Sequence, residues 1–110
     1  MNHQLCGMKA IRVVVPAFLL CWSCASEAPK QAADAKRLFY QNCVFCHGIK
    51  GDLMTNGAHN LRLSQMSKEE RILVITRGRN AMTGFEGKLS KDDIEKIAEY
   101  TISLAQSTSE

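Results

Sequence analysis

Five consecutive residues hold the most specific chemistry in this chain: Cys43-Val44-Phe45-Cys46-His47. A C-x-x-C-H run is the attachment pattern for a c-type haem. Each thiol adds across one vinyl group of the porphyrin, so two cysteines three positions apart staple one edge of a single macrocycle. The histidine that follows is then held beneath the iron. Histidine with methionine is the usual ligand pair for electron transfer. Two other chemistries share part of the pattern. A C-x-x-C beside a βαβ segment would be a redox dithiol, and a second Cys/His pair would complete a zinc site. The sequence has no second pair and no βαβ pattern, and an export signal precedes the motif. Covalent haem is therefore the leading expectation.

The first quarter of the chain reads as an address. Lys9 and Arg12 form a basic start, and Ile11 to Trp22 is apolar apart from Arg12 and Pro16. That run is about a dozen residues, short of the roughly twenty a spanning helix needs. Met8 is a better initiator than Met1, because residues 1–7 add nothing a signal requires. Of the five cysteines, Cys6 and Cys21 lie inside the signal, and Cys43 and Cys46 belong to the motif. Cys24 follows Ser23 at the end of the apolar run. This resembles the lipobox of bacterial lipoproteins, in which the cysteine is lipidated and becomes the new N-terminus. Ordinary cleavage after Ala25 is the competing reading. Either way no cysteine is left for a structural disulfide, and the destination is the periplasm or another compartment outside the cytoplasm.

Without Lys9 and Arg12, twelve basic residues face eleven acidic ones, so the formal charge of +3 is largely the signal's. A balanced charge with no basic stripe excludes a nucleic-acid binder. The organisation expected is a signal peptide over 1–24, a flexible tether over 25–33, one domain over 34–105 and a polar tail over 106–110. A chain this small buries a modest core and needs a staple. A covalent haem is such a body to fold around.

Three helices are expected, joined by glycine-rich loops, in an all-α domain. The first runs from Asp34 to Asn42, with Ala35, Leu38, Phe39 and Asn42 on one face, and delivers Cys43 at its end. The second runs from Ser67 to Arg77. Ser67-Lys68-Glu69-Glu70 is a capping box, Ile72, Ile75 and Thr76 form the buried side, and Gly78 suits the left-handed position beyond. Ser90 caps the third, in which Ile94, Ile97, Ala98, Thr101, Leu104 and Ala105 recur at helical spacing. No segment alternates as a strand would. Loops 47–63 and 78–89 carry glycines, and the second holds Met82.

These features fall in a recognisable order. CVFCH is followed by Gly48 and Gly51, then Ala58-His59-Asn60-Leu61, then Ile75-Thr76-Arg77-Gly78, Met82, Phe85 and Leu89, and last Ile94, Ile97 and Tyr100. From Asp34 to Leu104 the chain resembles a class I monohaem cytochrome c of the small bacterial kind. The resemblance implies a cytochrome c fold with one covalent haem. It also implies a close crossing of the first and last helices, through Ala35 and Phe39 on one and Ile97 and Tyr100 on the other. The family usually has glycine where Ala35 stands. It commonly has proline at the position of His59, whose carbonyl orients the axial histidine, and proline after the axial methionine, where this chain has Thr83.

Cys43 and Cys46 are thus the expected attachment points and His47 the proximal ligand. Met82 leads as the sixth ligand, with His59 next and an open site as the remaining option. Met54 follows His47 too closely to reach the opposite haem face easily, and Met66 precedes a helix cap and is expected to pack. Arg62, Arg77 and Arg79 are candidate partners of the haem propionates, as are Asn60 and Tyr40. Lys50 and Lys88 join the arginines as candidates for a docking ring.

The function expected is electron transfer between redox protein partners, by a monomeric domain tethered to a membrane through Cys24. The iron would cycle between ferric and ferrous states with both axial positions filled. Nothing resembles a catalytic constellation, so the chain is not expected to be an enzyme. Two alternatives stand beside this reading. One is a cytochrome subunit of a dehydrogenase or oxidase complex. The other is a haem-based gas sensor or small haem enzyme with a displaceable sixth ligand.

Overall fold

Ala28, Gln31, Ala32 and Ala33 favour helix, and Pro29 falls in a first turn, where its missing N–H is no loss. Accordingly α1 spans Ala28–Asn42 in this computed structural model, which describes residues 28–107. Residues 28–33, expected as part of a tether, are the start of that helix. Residues 30–33 are exposed, so their polar composition marks a solvated first turn and not a linker. The signal peptide over 1–24, the start at Met8, the lipidated Cys24, residues 25–27 and residues 108–110 lie outside the described residues.

Three further helices follow: α2 at Val44–His47, α3 at Lys68–Arg77 and α4 at Lys91–Gln106. The capping box before α3 forms in both directions. Glu70 N–H donates to Ser67 Oγ at 3.2 Å, and Ser67 N–H donates to Glu70 Oε2 at 2.8 Å. Ser90 caps α4, accepting from Asp93 N–H at 3.1 Å. Gln106, expected in the tail, is the last residue of α4. Two strands of two residues each, β1 at Gly78–Arg79 and β2 at Met82–Thr83, pair as an antiparallel hairpin. They are too short to leave an alternating pattern in the sequence.

The fold is organised on α4, which packs against α1, α3 and a 3-10 turn at Leu61–Leu63. Leu38 and Phe39 from α1, Ile75 from α3, and Ile94, Ile97 and Ala98 from α4 form the buried core. Phe39 and Ile97 are fully enclosed, and the Phe39 and Tyr100 rings lie 5.1 Å apart. Ala35 is buried on the same side of α1 as Leu38 and Phe39. The expected crossing of first and last helices is therefore present, with Tyr100 only partly covered. On the surface Lys68 Nζ reaches Glu99 at 2.6 Å and Glu95 at 3.9 Å, linking α3 to α4. An exposed ion pair of this kind adds little beside the core.

Phe39→Ala is expected to lower holoprotein stability by about 3–5 kcal/mol, the range for emptying a buried aromatic position. Tyr100→Ala removes a partly exposed ring and is expected to cost less. Denaturant unfolding followed by far-UV circular dichroism measures both, and equal losses would contradict the difference in burial.

Candidate functional site

The C-x-x-C-H spacing becomes geometry at the junction of α1 and α2. Cys43 N–H donates to Phe39 O at 2.8 Å, which continues α1 to its last turn. Cys46 N–H and His47 N–H both donate to Cys43 O, at 3.2 and 3.0 Å. Residues 43, 46 and 47 thus occupy positions i, i+3 and i+4 of one helical turn, which face the same way. All three line a cavity of about 690 Å³, whose other walls include Phe39, Met82 and Phe85. Cofactor pockets span roughly 300–1,000 Å³.

His47 is buried, and its Nδ1 lies 3.0 Å from the carbonyl oxygen of His59. A carbonyl only accepts, so Nδ1 carries the proton and Nε2 keeps its lone pair. Burial lowers the His47 pKa below the usual imidazole value, the bond to His59 opposes this, and the nearby His59 charge lowers it again. The result is a neutral, oriented imidazole, the form that binds a metal. Backbone bonds help bring residue 59 to this place. Gly51 N–H donates to Gly48 O at 3.1 Å and Leu61 N–H to Gly51 O at 2.7 Å, folding 58–61 back onto the loop after the motif. Proline is unnecessary at 59 for its carbonyl to be delivered.

The thiols do not resemble a reactive dithiol. Burial, then the proximity of Cys46, pushes the Cys43 thiol up to about 12. Redox-active C-x-x-C pairs instead have a lowered thiol pKa. Among the described residues no three His, Cys, Asp or Glu side chains converge as a zinc site requires.

Met82, well downstream of the motif in sequence, shares its cavity. It is partly buried, packs against the core and lines the cavity. Its loop is held at several points. Arg79 pairs with Met82 and Gly78 with Thr83 in the hairpin. Beyond it, Phe85 N–H donates to Ile75 O at 2.9 Å and Glu86 N–H to Thr76 O at 3.1 Å. These bonds lash the loop to the end of α3, so Thr83 in place of proline leaves the segment well supported. Gly78 has φ of 77°, and a Cβ there would meet Gly84 N at 2.6 Å and collide with Met82 O. Gly78→Ala is therefore expected to cost about 1–3 kcal/mol through backbone strain. Thermal unfolding checks this, and a stability within about 0.5 kcal/mol of the parent, the scatter of harmless surface changes, would refute it.

The remaining candidates divide cleanly. His59 and Met66 line the cavity, whereas Met54 is 62% exposed and absent from its walls. Asn60 and Arg79 line it; Tyr40, Arg62 and Arg77 do not. Asn60 Oδ1 accepts from Arg62 N–H at 3.0 Å and caps the 3-10 turn. Arg62 also stands 3.9 Å from Asp52. One charged wall residue lies outside the sequence expectations: Arg71, buried on the inner side of α3. Its sequence signal is its position, four residues before Ile75 on the same helical face.

Two thiols on one helical turn, an imidazole with Nε2 available, and a thioether on the cavity wall fit an iron porphyrin. This is the architecture of a haem protein with an all-α fold. Residues 30–100 match the family described as cytochrome c oxidase, cbb3-type, subunit III. Cytochrome c6 of Microcystis aeruginosa is 33% identical over 79 residues, covering 66% of this chain and 96% of that protein. Cytochrome c6 of Nostoc sp. is 30% identical over 107 residues, covering 89% and 96%. Among solved structures, cytochrome c6 from the diatom Phaeodactylum tricornutum superposes with a TM-score of 0.62 at 27% identity, covering 69% of this chain and 95% of that one. The chain belongs to the class I monohaem c-type cytochromes: it has the cytochrome c fold, carries one covalently bound haem c and transfers electrons.

Proposed function

We propose that Cys43 and Cys46 hold the haem through thioether bonds, that His47 Nε2 binds one face of the iron, and that the Met82 sulfur binds the other. The observation that carries this is the hydrogen bond from His47 Nδ1 to the His59 carbonyl. It fixes the tautomer and places residue 59 behind the imidazole. A His59 side chain would have to reach round from behind the first ligand to become the second, which supports Met82 over His59. The haem supplies a one-electron ferric/ferrous couple when bound. The chain supplies burial, an oriented imidazole, a soft neutral sulfur and a braced loop. With both axial positions filled the protein is a carrier and not an enzyme.

The experiment is the absorption spectrum of the wild-type holoprotein, oxidised and reduced. A weak near-infrared sulfur-to-iron band in the ferric form supports Met ligation. Rapid carbon monoxide binding with no such band would favour the sensor or small-enzyme reading. A second reading of the role, a cytochrome subunit within an oxidase or dehydrogenase complex, draws on the exposed apolar side chains at the motif. Phe45, Ile49, Leu53 and Met54 are 82%, 59%, 46% and 62% exposed within ten residues. The native mass of the detergent-extracted protein separates a subunit from a free carrier.

The carrier works outside the cytoplasm between redox protein partners, anchored through a lipid on Cys24. No described helix is long and apolar enough to cross a membrane. Labelled palmitate is expected to enter the chain and to be lost in Cys24→Ser. An intact mass with an unmodified N-terminus at Ser26 would establish ordinary cleavage instead.

A further inference from the structure

Arg71 is 5% exposed and lines the cavity from α3. Two of its nitrogens are spoken for: Nε donates to Met66 O at 3.0 Å and Nη2 to Ser64 O at 2.9 Å. The third, Nη1, is buried and has no hydrogen-bond partner. Both partners it does have are neutral carbonyls. None of the ion pairs among the described residues involves Arg71. Burial alone acts on its titration, lowering the guanidinium below its usual value, and no carboxylate offsets it. A buried cation without an anion is one of the costlier arrangements in a protein interior, and a buried donor without an acceptor adds to that cost.

The cavity is where the missing anion belongs. A haem carries two propionate carboxylates on the edge opposite its vinyl-derived thioethers. The thioether edge is fixed by Cys43 and Cys46 at the junction of α1 and α2, whereas Arg71, with Ser64 and Met66, belongs to a different stretch of the wall. A guanidinium held by two carbonyls has one arm left for a carboxylate, the geometry in which arginine recognises such groups.

Resting on the haem-binding reading, we propose that Arg71 is the counter-charge to one haem propionate, and so a positioning residue that holds the cofactor's carboxylate edge and tunes its potential. The positive charge beside the haem opposes the ferric state, whose iron is one charge more positive, and so favours the ferrous form. Arg71→Gln, which removes the charge and keeps a polar end, is expected to shift the ferrous/ferric ratio at fixed potential about tenfold towards ferric. That is about 59 mV for a one-electron couple. Arg71→Lys restores the charge and is expected to recover most of the shift.

Redox titration of the holoproteins reads this directly, with thermal unfolding run in parallel. A lowered melting temperature with an unchanged potential in Arg71→Gln would overturn the proposal and leave Arg71 as a clamp on residues 64–66. Should Arg71→Gln fail to mature, Arg71→Lys supplies the second measurement. Haem labelled with ¹³C at its propionate carboxylates gives reduced-minus-oxidised infrared bands. One labelled band must move between wild type and Arg71→Lys, and identical bands would overturn the assignment. Failure of the haem-binding reading looks different: the wild type would then lack covalent haem altogether.

Discussion

Cys43→Ser combined with Cys46→Ser is expected to give a polypeptide from which denaturation strips all haem, where the parent keeps its full complement. The two sulfurs stand one helical turn apart on the cavity wall. No other cysteine of the described residues is available to replace them. Each single variant should retain one thioether and a reduced yield of holoprotein. The structural consequence should be as large as the chemical one. Without its haem the domain would surround a cavity of about 690 Å³ with a core of six buried apolar side chains on three helices. Proteins this small depend on such a staple. The double variant should therefore lose cooperative thermal unfolding as well as the haem. Haem staining after denaturing electrophoresis and intact mass test the first claim, and calorimetry the second. Covalent haem in the double variant would remove the basis for the whole assignment.

Met82→Ala is expected to abolish the near-infrared sulfur-to-iron band and to open a site that binds cyanide or carbon monoxide readily. A thioether is a soft, neutral ligand that raises the potential relative to a second imidazole. Its loss should lower the potential on the order of 100 mV, a fraction of the roughly 0.8 V that axial ligands span. Met82→His should stay six-coordinate at a lower potential. The hairpin pairing of Arg79 with Met82 uses the backbone, so the loop should survive the truncation. Met54→Leu and Met66→Leu are the controls. Met54 is absent from the cavity wall and Met66 lines it near Ser64 and Arg71, so a band lost in Met66→Leu would move the ligand to that wall.

Local features are legible in the amino-acid order alone. The attachment motif, the capping box at Ser67, the cap at Ser90 and the buried face of α4 all depend on residues within a turn or two of one another, and their spacing is their geometry. The start of α1 is harder to see. Residues 28–33 look like a linker, yet apart from Pro29 in the first turn they are good helix formers continuing a packed helix, and solvation of one side costs a helix nothing. The hairpin around Met82 has only two residues per strand and leaves no period to detect.

What tertiary structure decided was convergence. The carbonyl that orients His47 comes from a residue twelve positions away, delivered by backbone bonds through Gly48, Gly51 and Leu61. Whether a methionine faces the cavity depends on how α3, the hairpin and α4 pack, which separates Met82 and Met66 from Met54. Arg71 shows the limit most plainly. An arginine on a helix is ordinarily a solvated surface charge, and its one sign to the contrary is that Ile75 stands a turn further along the same face. Only when α3 docks with that side inward does Arg71 become a buried cation short of one acceptor. The sequence by itself determined the local grouping of two thiols and an imidazole, because residues 43, 46 and 47 share one helical turn. The cavity of about 690 Å³, and the buried charge on its wall, arise only when segments distant in sequence come together.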